Sequence, residues 1–293
     1  MREKIPANQS TGPNDKQVLI NQPIGENDKQ VLINQSTNQL TTYTLHLADN
    51  ALILGQRNAE WTGHGPILEQ DIAISNISLD LVGQARNFYQ YAAVMLNHET
   101  GKHTIQPATE DSLAFLRDAA DYKNSLLVEL PRGDWALTIL RQFFFSSYQF
   151  YLYQELQNSK DAQLAAIAQK SLKEVTYHLR WSAEWVIRLG DGTAQSHTRI
   201  SHALQELWPY TGELTTNAIF ETALLPAGIA VDMVALQQPW TSKINEVLAT
   251  ATLQLPENNA LQTGGKEGKH TGHLEILLKE MQYLQRTYPG VEW

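Results

Sequence analysis

The sequence predicts an all-α protein of long antiparallel helices. Three observations predict it: apolar residues recur at three- and four-residue spacing from Leu40 onward, alternating strand patterns almost vanish, and Gly/Pro clusters interrupt the chain only at long intervals. With 293 residues, 42% hydrophobic content and 7 Trp, the chain can bury a substantial core, read here as one domain.

Residues 1–38 stand apart as an Asn- and Gln-rich extension containing the string NDKQVLINQ twice, at Asn14–Gln22 and Asn27–Gln35. So few apolar residues cannot offset the entropy of ordering, and the extension is expected to be flexible, with a short interaction tail as the alternative. The helical domain is expected to span 39–293. Its first helix runs Leu40 to Trp61 and stops at Thr62-Gly63-His64-Gly65-Pro66. The second starts at Pro66, whose missing N–H costs nothing in a first turn, and reaches about His98. Leu68, Ile72, Leu79 and Val82 mark one apolar face of it, and Ile67, Ile74, Leu81, Phe88 and Met95 another, so it is expected to be central. Its Gly83 costs about 1 kcal/mol against Ala, which suggests close helix contact there.

A shorter helix is expected from Thr109 to Glu129, closed by Pro131-Arg132-Gly133-Asp134. Next comes an aromatic helix from Trp135 to about Leu156. Phe143, Phe144, Phe145, Tyr148, Phe150, Tyr151 and Tyr153 demand partners on most of its sides, some of them supplied by a second polypeptide. A helix from Asp161 to Gly190 ends at Gly190-Asp191-Gly192, and Thr193 caps the next, which reaches Trp208-Pro209. Glu213 to Leu225 and a Pro-punctuated stretch from Pro226 to Pro256 follow. A Gly-rich loop, 263–270, leads into a last helix from about Thr271 to Arg286.

The net charge of -9 excludes the basic stripe of a nucleic-acid binder. Zero cysteines exclude disulfides, a thiol nucleophile and an iron–sulfur cluster held by this chain. No apolar run approaches the length of a membrane span, and Met1-Arg2-Glu3-Lys4-Ile5-Pro6 has no signal-like apolar stretch, so a cytoplasmic protein is expected.

Long four-helix bundles often hold paired metals, with a Glu from each of two helices and a Glu-x-x-His from each of the other two. Measured against that pattern, the chain lacks ligands. The first helix offers Asp49 and, near its end, Glu60; Glu60 and His64 flank the Gly-Pro turn and read as helix termination. The second carries a polar stripe, Asn76, Asp80, Gln84 and Asn87, but the residue three after Asp80 is Gly83. That stripe reads as a polar network between helices, with a metal position as the alternative. From Trp135 through Gln154 the aromatic helix has no Asp or Glu at all. On the 161–190 helix, Glu174 is followed three residues later by Tyr177, and His178 arrives one residue late, displaced by about 100° around the axis. Glu174 and His178 read as a structural carboxylate–imidazole pair or, alternatively, a vestigial metal position. Asp49, Asp80, Glu174 and His178 are thus the candidates for a degenerate site.

The one Glu-x-x-His, Glu267 to His270, falls in the Gly-rich loop and cannot serve as a bundle ligand pair. Lys266, Lys269, His270 and His273 surround that loop, which admits three readings: solvent-exposed loop, partner contact, or anion site at a helix N-terminus. The phosphate-loop pattern fails because His270 follows Lys269 where Ser or Thr is required, and no Gly-x-Ser-x-Gly or strand-borne Gly-x-Gly-x-x-Gly is present.

Four segments carry a family resemblance: Leu47–Arg57, Glu60–Ala93 (EWTGHGPILEQDIAISNISLDLVGQARNFYQYAA), Tyr177–Thr193 (YHLRWSAEWVIRLGDGT) and Thr263–Trp293. Across about Asn38 to Trp293 the chain closely resembles the C-subunit family of the bacterial ring-1,2-phenylacetyl-CoA epoxidases, also called phenylacetate-CoA oxygenases. The resemblance implies a ferritin-like four-helix bundle with additional short helices and a non-catalytic structural role in phenylacetate degradation. The catalytic A subunit would carry the di-iron centre and pair with this chain. A small B subunit would bridge heterodimers, and a reductase with flavin and an iron–sulfur centre would deliver electrons from NADPH. No catalytic, metal or cofactor-binding residue carries over to this chain. The rival expectation is a di-metal oxygenase subunit with its own degenerate carboxylate/His site.

Overall fold

Two helical hairpins, each closed by a short turn, form the centre of the molecule in the computed structural model, which describes residues 1, 26–100, 107–256, 261–289 and 291. The first hairpin pairs α1 (Glu26–Ala59) with α2 (Leu68–Thr100); the second pairs α5 (Trp135–Leu156) with α6 (Ala162–Gly190). Gly63, at φ 80°, lets the first turn close, and the Asp71 carboxylate accepts the Gly65 N–H at 2.8 Å. Asp134 and Asp161 cap α5 and α6 by accepting the Leu137 and Leu164 N–H groups, each cap contributing about 1 kcal/mol. Asp161 is held in turn by Tyr91 of α2, at 2.6 Å.

Helix α1 begins at Glu26, earlier than the Leu40 expected from its apolar pattern. The backbone of the second NDKQVLINQ copy is therefore helical, while the first copy lies outside the described residues. No Gly or Pro falls between Glu26 and Gly55, and extending an existing helix costs far less than nucleating one. Tyr43, Leu47, Ala51 and Leu54 then bury one stripe of α1 against Ile74, Leu81 and Phe88 of α2. The other apolar face of α2 does not go inside. Leu68, Ile72, Leu79 and Val82 are exposed, and a Cβ added at Gly83 would meet nothing within 4 Å among the described residues, which supply no close contact there.

The expected single helix from Thr109 to Glu129 is broken into α3 (Glu110–Phe115), a 3-10 turn (Ala119–Asp121) and α4 (Leu126–Glu129). Tertiary bonds break it. Arg117 turns inward to Asp49, whose other oxygen takes the Lys123 N–H at 2.8 Å, and Asn50 takes the Ser125 N–H at 2.9 Å. These bonds give the backbone partners that a continuous helix would not.

Helix α5 is wrapped by its own chain. Most of its Phe and Tyr side chains are buried by α6, α7 (Ala194–Leu207, capped by Thr193) and α9 (Met233–Thr250), while Phe150 and Tyr151 are half-buried. Helix α9 occupies the stretch expected to be broken by prolines, with Pro239 inside it. Burial overrides the lost hydrogen bond: Trp240 stacks on Trp208 and donates to the Phe144 carbonyl at 3.1 Å, while Leu236, Ile244, Val247 and Leu248 are buried. The short α8 (Ile219–Leu224) and the C-terminal α10 (Gly272–Met281) cover α1 and α4, and α11 (Tyr283–Thr287) follows after Gln282. The last helix is split there because Gln282 reaches back to the Arg117 carbonyl at 3.0 Å. Among the described residues there is no strand, and no helix is long and apolar enough to cross a membrane.

Candidate functional site

The centre of the bundle, where a di-metal site would sit, holds amides in place of carboxylates. Gln84 of α2, Gln149 and Tyr153 of α5, and Glu174 of α6 converge there. The Gln84 amide N–H donates to Glu174 at 2.9 Å, and Gln149 and Tyr153 both reach the Gln84 oxygen at 3.4 Å. One turn away on α2 and α6, His178 Nε2 lies 2.9 Å from the Asp80 carboxylate. Nearer the other end, Asn58 donates to Gln142 at 2.7 Å, and Gln142 donates to Ser146.

The four residues of the α2/α6 seam are therefore paired across helices. The expected Glu174–His178 pair within α6 does not form, because antiparallel packing sets 80 against 178 and 84 against 174. An i, i+4 pair on each helix thus faces its counterpart. Asn76 is exposed and Asn87 half-buried, so only Asp80 and Gln84 of the expected polar stripe enter the network.

These donors do not fit a carboxylate-bridged metal pair, which needs four carboxylates and two imidazoles. Glu174 is the single carboxylate of the central cluster. The His178 imidazole is fully buried with Nε2 committed to Asp80, and its Nδ1 meets no hydrogen-bond partner. Among the described residues no three His, Asp or Glu side chains group closely enough to hold a metal.

Asp49, the fourth candidate, belongs to a different cluster. It is fully buried and accepts from Tyr89 at 2.6 Å, from Lys123 N and from both terminal nitrogens of Arg117. Arg117 also lies 4.2 Å above the Tyr122 ring. Burial and the Asp49 charge hold the Tyr89 phenol well above its ordinary range, so it remains a donor.

Around Asp49 the chain buries three more carboxylates, Glu129, Glu213 and Glu221, and the Gly-rich loop supplies much of their compensation. Lys266 is buried, donating to Glu221 at 3.0 Å and to the Thr216 carbonyl at 2.8 Å. Glu213 accepts the Gly264 and Leu126 N–H groups at 2.7 and 2.9 Å. His270 Nδ1 lies 2.7 Å from Glu129 and its Nε2 lies 3.0 Å from the Tyr122 carbonyl. An imidazole with both nitrogens on oxygen acceptors is a double donor; burial opposes the charge, but Glu129 and the Tyr122 carbonyl prevail and raise its pKa above 6.5. Gly264 at φ 130° and Gly268 at φ 82° make this inward fold possible. Lys266 and His270, expected as partner or anion contacts, are thus consumed inside the chain; Lys269 and His273 remain exposed.

On the other side of Glu221, His46 donates through Nδ1 to the Lys123 carbonyl at 2.6 Å. Burial, reinforced by nearby Lys266, lowers its pKa to about 4, so it is neutral and its Nε2 accepts from Asn50. Arg141 is fully buried, donating to the Leu130 and Pro131 carbonyls at 2.5 and 2.9 Å. Desolvation, with Arg57 nearby, lowers its pKa to about 9.

No pattern in the sequence marks Glu129, Glu213, Glu221, Gln149 or Tyr153 as site residues. The three carboxylates lie on short aperiodic segments, where no spacing distinguishes a buried side. Gln84 and Asn87 do carry a signal: amides standing three apart, at the spacing of Glu-x-x-His.

A family model described as Phenylacetic acid catabolic protein matches residues 18–293. The chain is 47% identical over 256 residues to the C subunit of the 1,2-phenylacetyl-CoA epoxidase of Escherichia coli strain K12, an alignment that covers 87% of this chain and 100% of the relative.

Proposed function

Because the chain belongs to the phenylacetic acid catabolic protein family, we propose that it is the non-catalytic structural subunit of a multicomponent phenylacetyl-CoA 1,2-epoxidase, stabilising a catalytic di-iron A subunit by pairing with it. The observation that carries this reading is the carboxylate-poor bundle centre: Gln84, Gln149 and Tyr153 stand with the single carboxylate Glu174, and the nearby imidazole is tied to Asp80. A bundle whose centre ties amides and a phenol across its helices, where a di-metal site needs carboxylates, keeps the architecture of a metal protein while its interior makes a scaffold. In the assembly, placed in the cytoplasm, di-iron would reside in the A subunit, a small B subunit would join the pair, and a reductase with flavin and an iron–sulfur centre would take electrons from NADPH. This chain's part is mechanical: its helices hold those of the catalytic partner in register, and its own side chains carry out no step of the epoxidation.

The test is co-expression with the candidate A subunit. Iron should copurify with that partner and be absent from the purified single chain, and Glu174→Ala in this chain should leave epoxidation by the complex within about twofold of wild type. Stoichiometric iron in the single chain, lost in Glu174→Ala together with turnover, would overturn the proposal.

A further inference from the structure

Arg141, in the second turn of α5, is a fully buried cation with most of its donors unspent. Nη1 donates to the Leu130 and Pro131 carbonyls at 2.5 and 2.9 Å, just past the end of α4. Nε and Nη2, which together carry three of the five guanidinium N–H groups, meet no acceptor among the described residues. These two atoms form one edge of the planar group, with parallel N–H bonds spaced to grip a single anion.

The charge is as unmatched as the donors. Arg57 of α1 lies close enough to depress the Arg141 pKa, and both guanidiniums bind the same turn, since Arg57 donates to the Glu129 carbonyl at 2.8 Å. Glu60 is the carboxylate that acts on Arg141 from nearby, but it is bonded to Arg57 at 2.7 Å. Two buried guanidiniums thus share one partly exposed carboxylate. Even so, the pKa of Arg141 falls only to about 9, so the group stays protonated at neutral pH. Backbone carbonyls and water can take its hydrogen bonds, but neither brings a negative charge, and an uncompensated ion in the interior is strongly destabilising. The edge is sealed from solvent, which limits an occupant to the smallest anions, and one positive charge in excess calls for one negative.

We propose that the Nε/Nη2 edge of Arg141 binds a small monovalent anion of halide size, an internal counter-ion held where α1, α5 and the 129–131 turn meet. The site concerns the folded chain alone and does not rest on its part in the epoxidase.

Bromide is the probe. As sodium bromide replaces sodium gluconate at constant ionic strength, the melting temperature of the full-length chain should rise along a saturating curve, by about 2–4 °C or more. Arg141→Met should melt without regard to bromide, and Arg141→Lys, which keeps a charge but has no fork, should respond only at far higher concentration. Crystals grown in bromide should show anomalous density against Nε and Nη2. A melting temperature indifferent to bromide overturns the proposal; density without a thermal response means an adventitious ion only and overturns it as well. So does a crystal in which water, or the unpartnered Asn58 Oδ1, takes the edge. The thermal and diffraction measurements both use the wild-type chain, so they decide the matter even if a substituted Arg141 fails to fold.

Discussion

His178 bonds Asp80 across the α2/α6 seam at 2.9 Å, while Glu174, four residues before it on α6, turns to Gln84. The seam is therefore joined at two levels by pairs whose members sit on different helices. Removing the partner of the fully buried imidazole, in Asp80→Ala, should cost about 1–3 kcal/mol, the desolvation penalty of an unsatisfied group. Urea denaturation measures this, and an unchanged midpoint would show that the bond contributes nothing.

The Asp49–Arg117 pair should be the more sensitive one. Asp49→Ala strips a mostly buried guanidinium of its counter-charge and should destabilise by about 3–5 kcal/mol. The change also frees the Lys123 amide, so hydrogen exchange should speed up through the 117–125 segment. Exchange rates equal to wild type there would contradict this account.

Lys266 and Glu221 lend themselves to a double-mutant cycle. Lys266→Met alone leaves Glu221 buried with only the Ala218 N–H in bonding range and should cost about 3–5 kcal/mol. Adding Glu221→Gln should recover part of that loss, so the two changes should be markedly non-additive. Additive losses would mean the pair does not interact as described.

Stability should fall on both sides of neutrality, for two different histidines. The folded pKa of His46 is lowered to about 4 from 6.5, so its contribution is full above pH 6.5 and disappears as pH falls toward 4. His270 is raised, so its contribution is full below 6.5 and is lost as pH rises through its folded pKa. His270→Asn should flatten the alkaline limb of a pH–stability profile without altering the acid limb. A profile in which both limbs move together would assign the effect elsewhere.

The shortage of carboxylates at the bundle centre can be reversed. Gln84→Glu/Gln149→Glu places new carboxylates beside Glu174 in the buried core and should lower stability at neutral pH by about 2–3 kcal/mol. Adding cobalt(II) should restore part of the loss if the three oxygens converge, with visible absorption as the readout. No shift of the melting temperature with cobalt would show that the backbone no longer brings these positions together.

Much of the fold is legible in the sequence because long helices advertise themselves. Trp135–Leu156 and Ala162–Gly190 can be read almost to the residue, since Asp134, Asp161 and Gly190 punctuate them. The lack of Asp and Glu from Trp135 through Gln154 is equally plain. Pro239 hides α9, because a local rule predicts a break that the burial of Trp240 overrules. Arg117 and Lys123 break the expected Thr109–Glu129 helix through bonds to Asp49, a residue far away in sequence. The partners of Glu174 and His178 are hidden for the same reason: spacing along one helix shows which side chains share a face, but only the register between two helices decides which of them meet.

The Gly264–Thr271 segment has a consequence for how the protein comes into being. It supplies Lys266 to Glu221, backbone N–H groups to Glu213, and His270 to Glu129, a residue 141 positions earlier. Arg57 reaches still further, to the carbonyl of His273 at a separation of 216. A ribosome releases these partners after the carboxylates they compensate. Until they emerge, three carboxylates destined for the interior have only part of their compensation, and the surrounding segments cannot close without burying uncompensated charge. The helical hairpins can collapse early through local contacts, but the mixed cluster beside α1 waits for the Gly264–Thr271 segment. Closure of this cluster therefore follows synthesis of the Gly264–Thr271 segment.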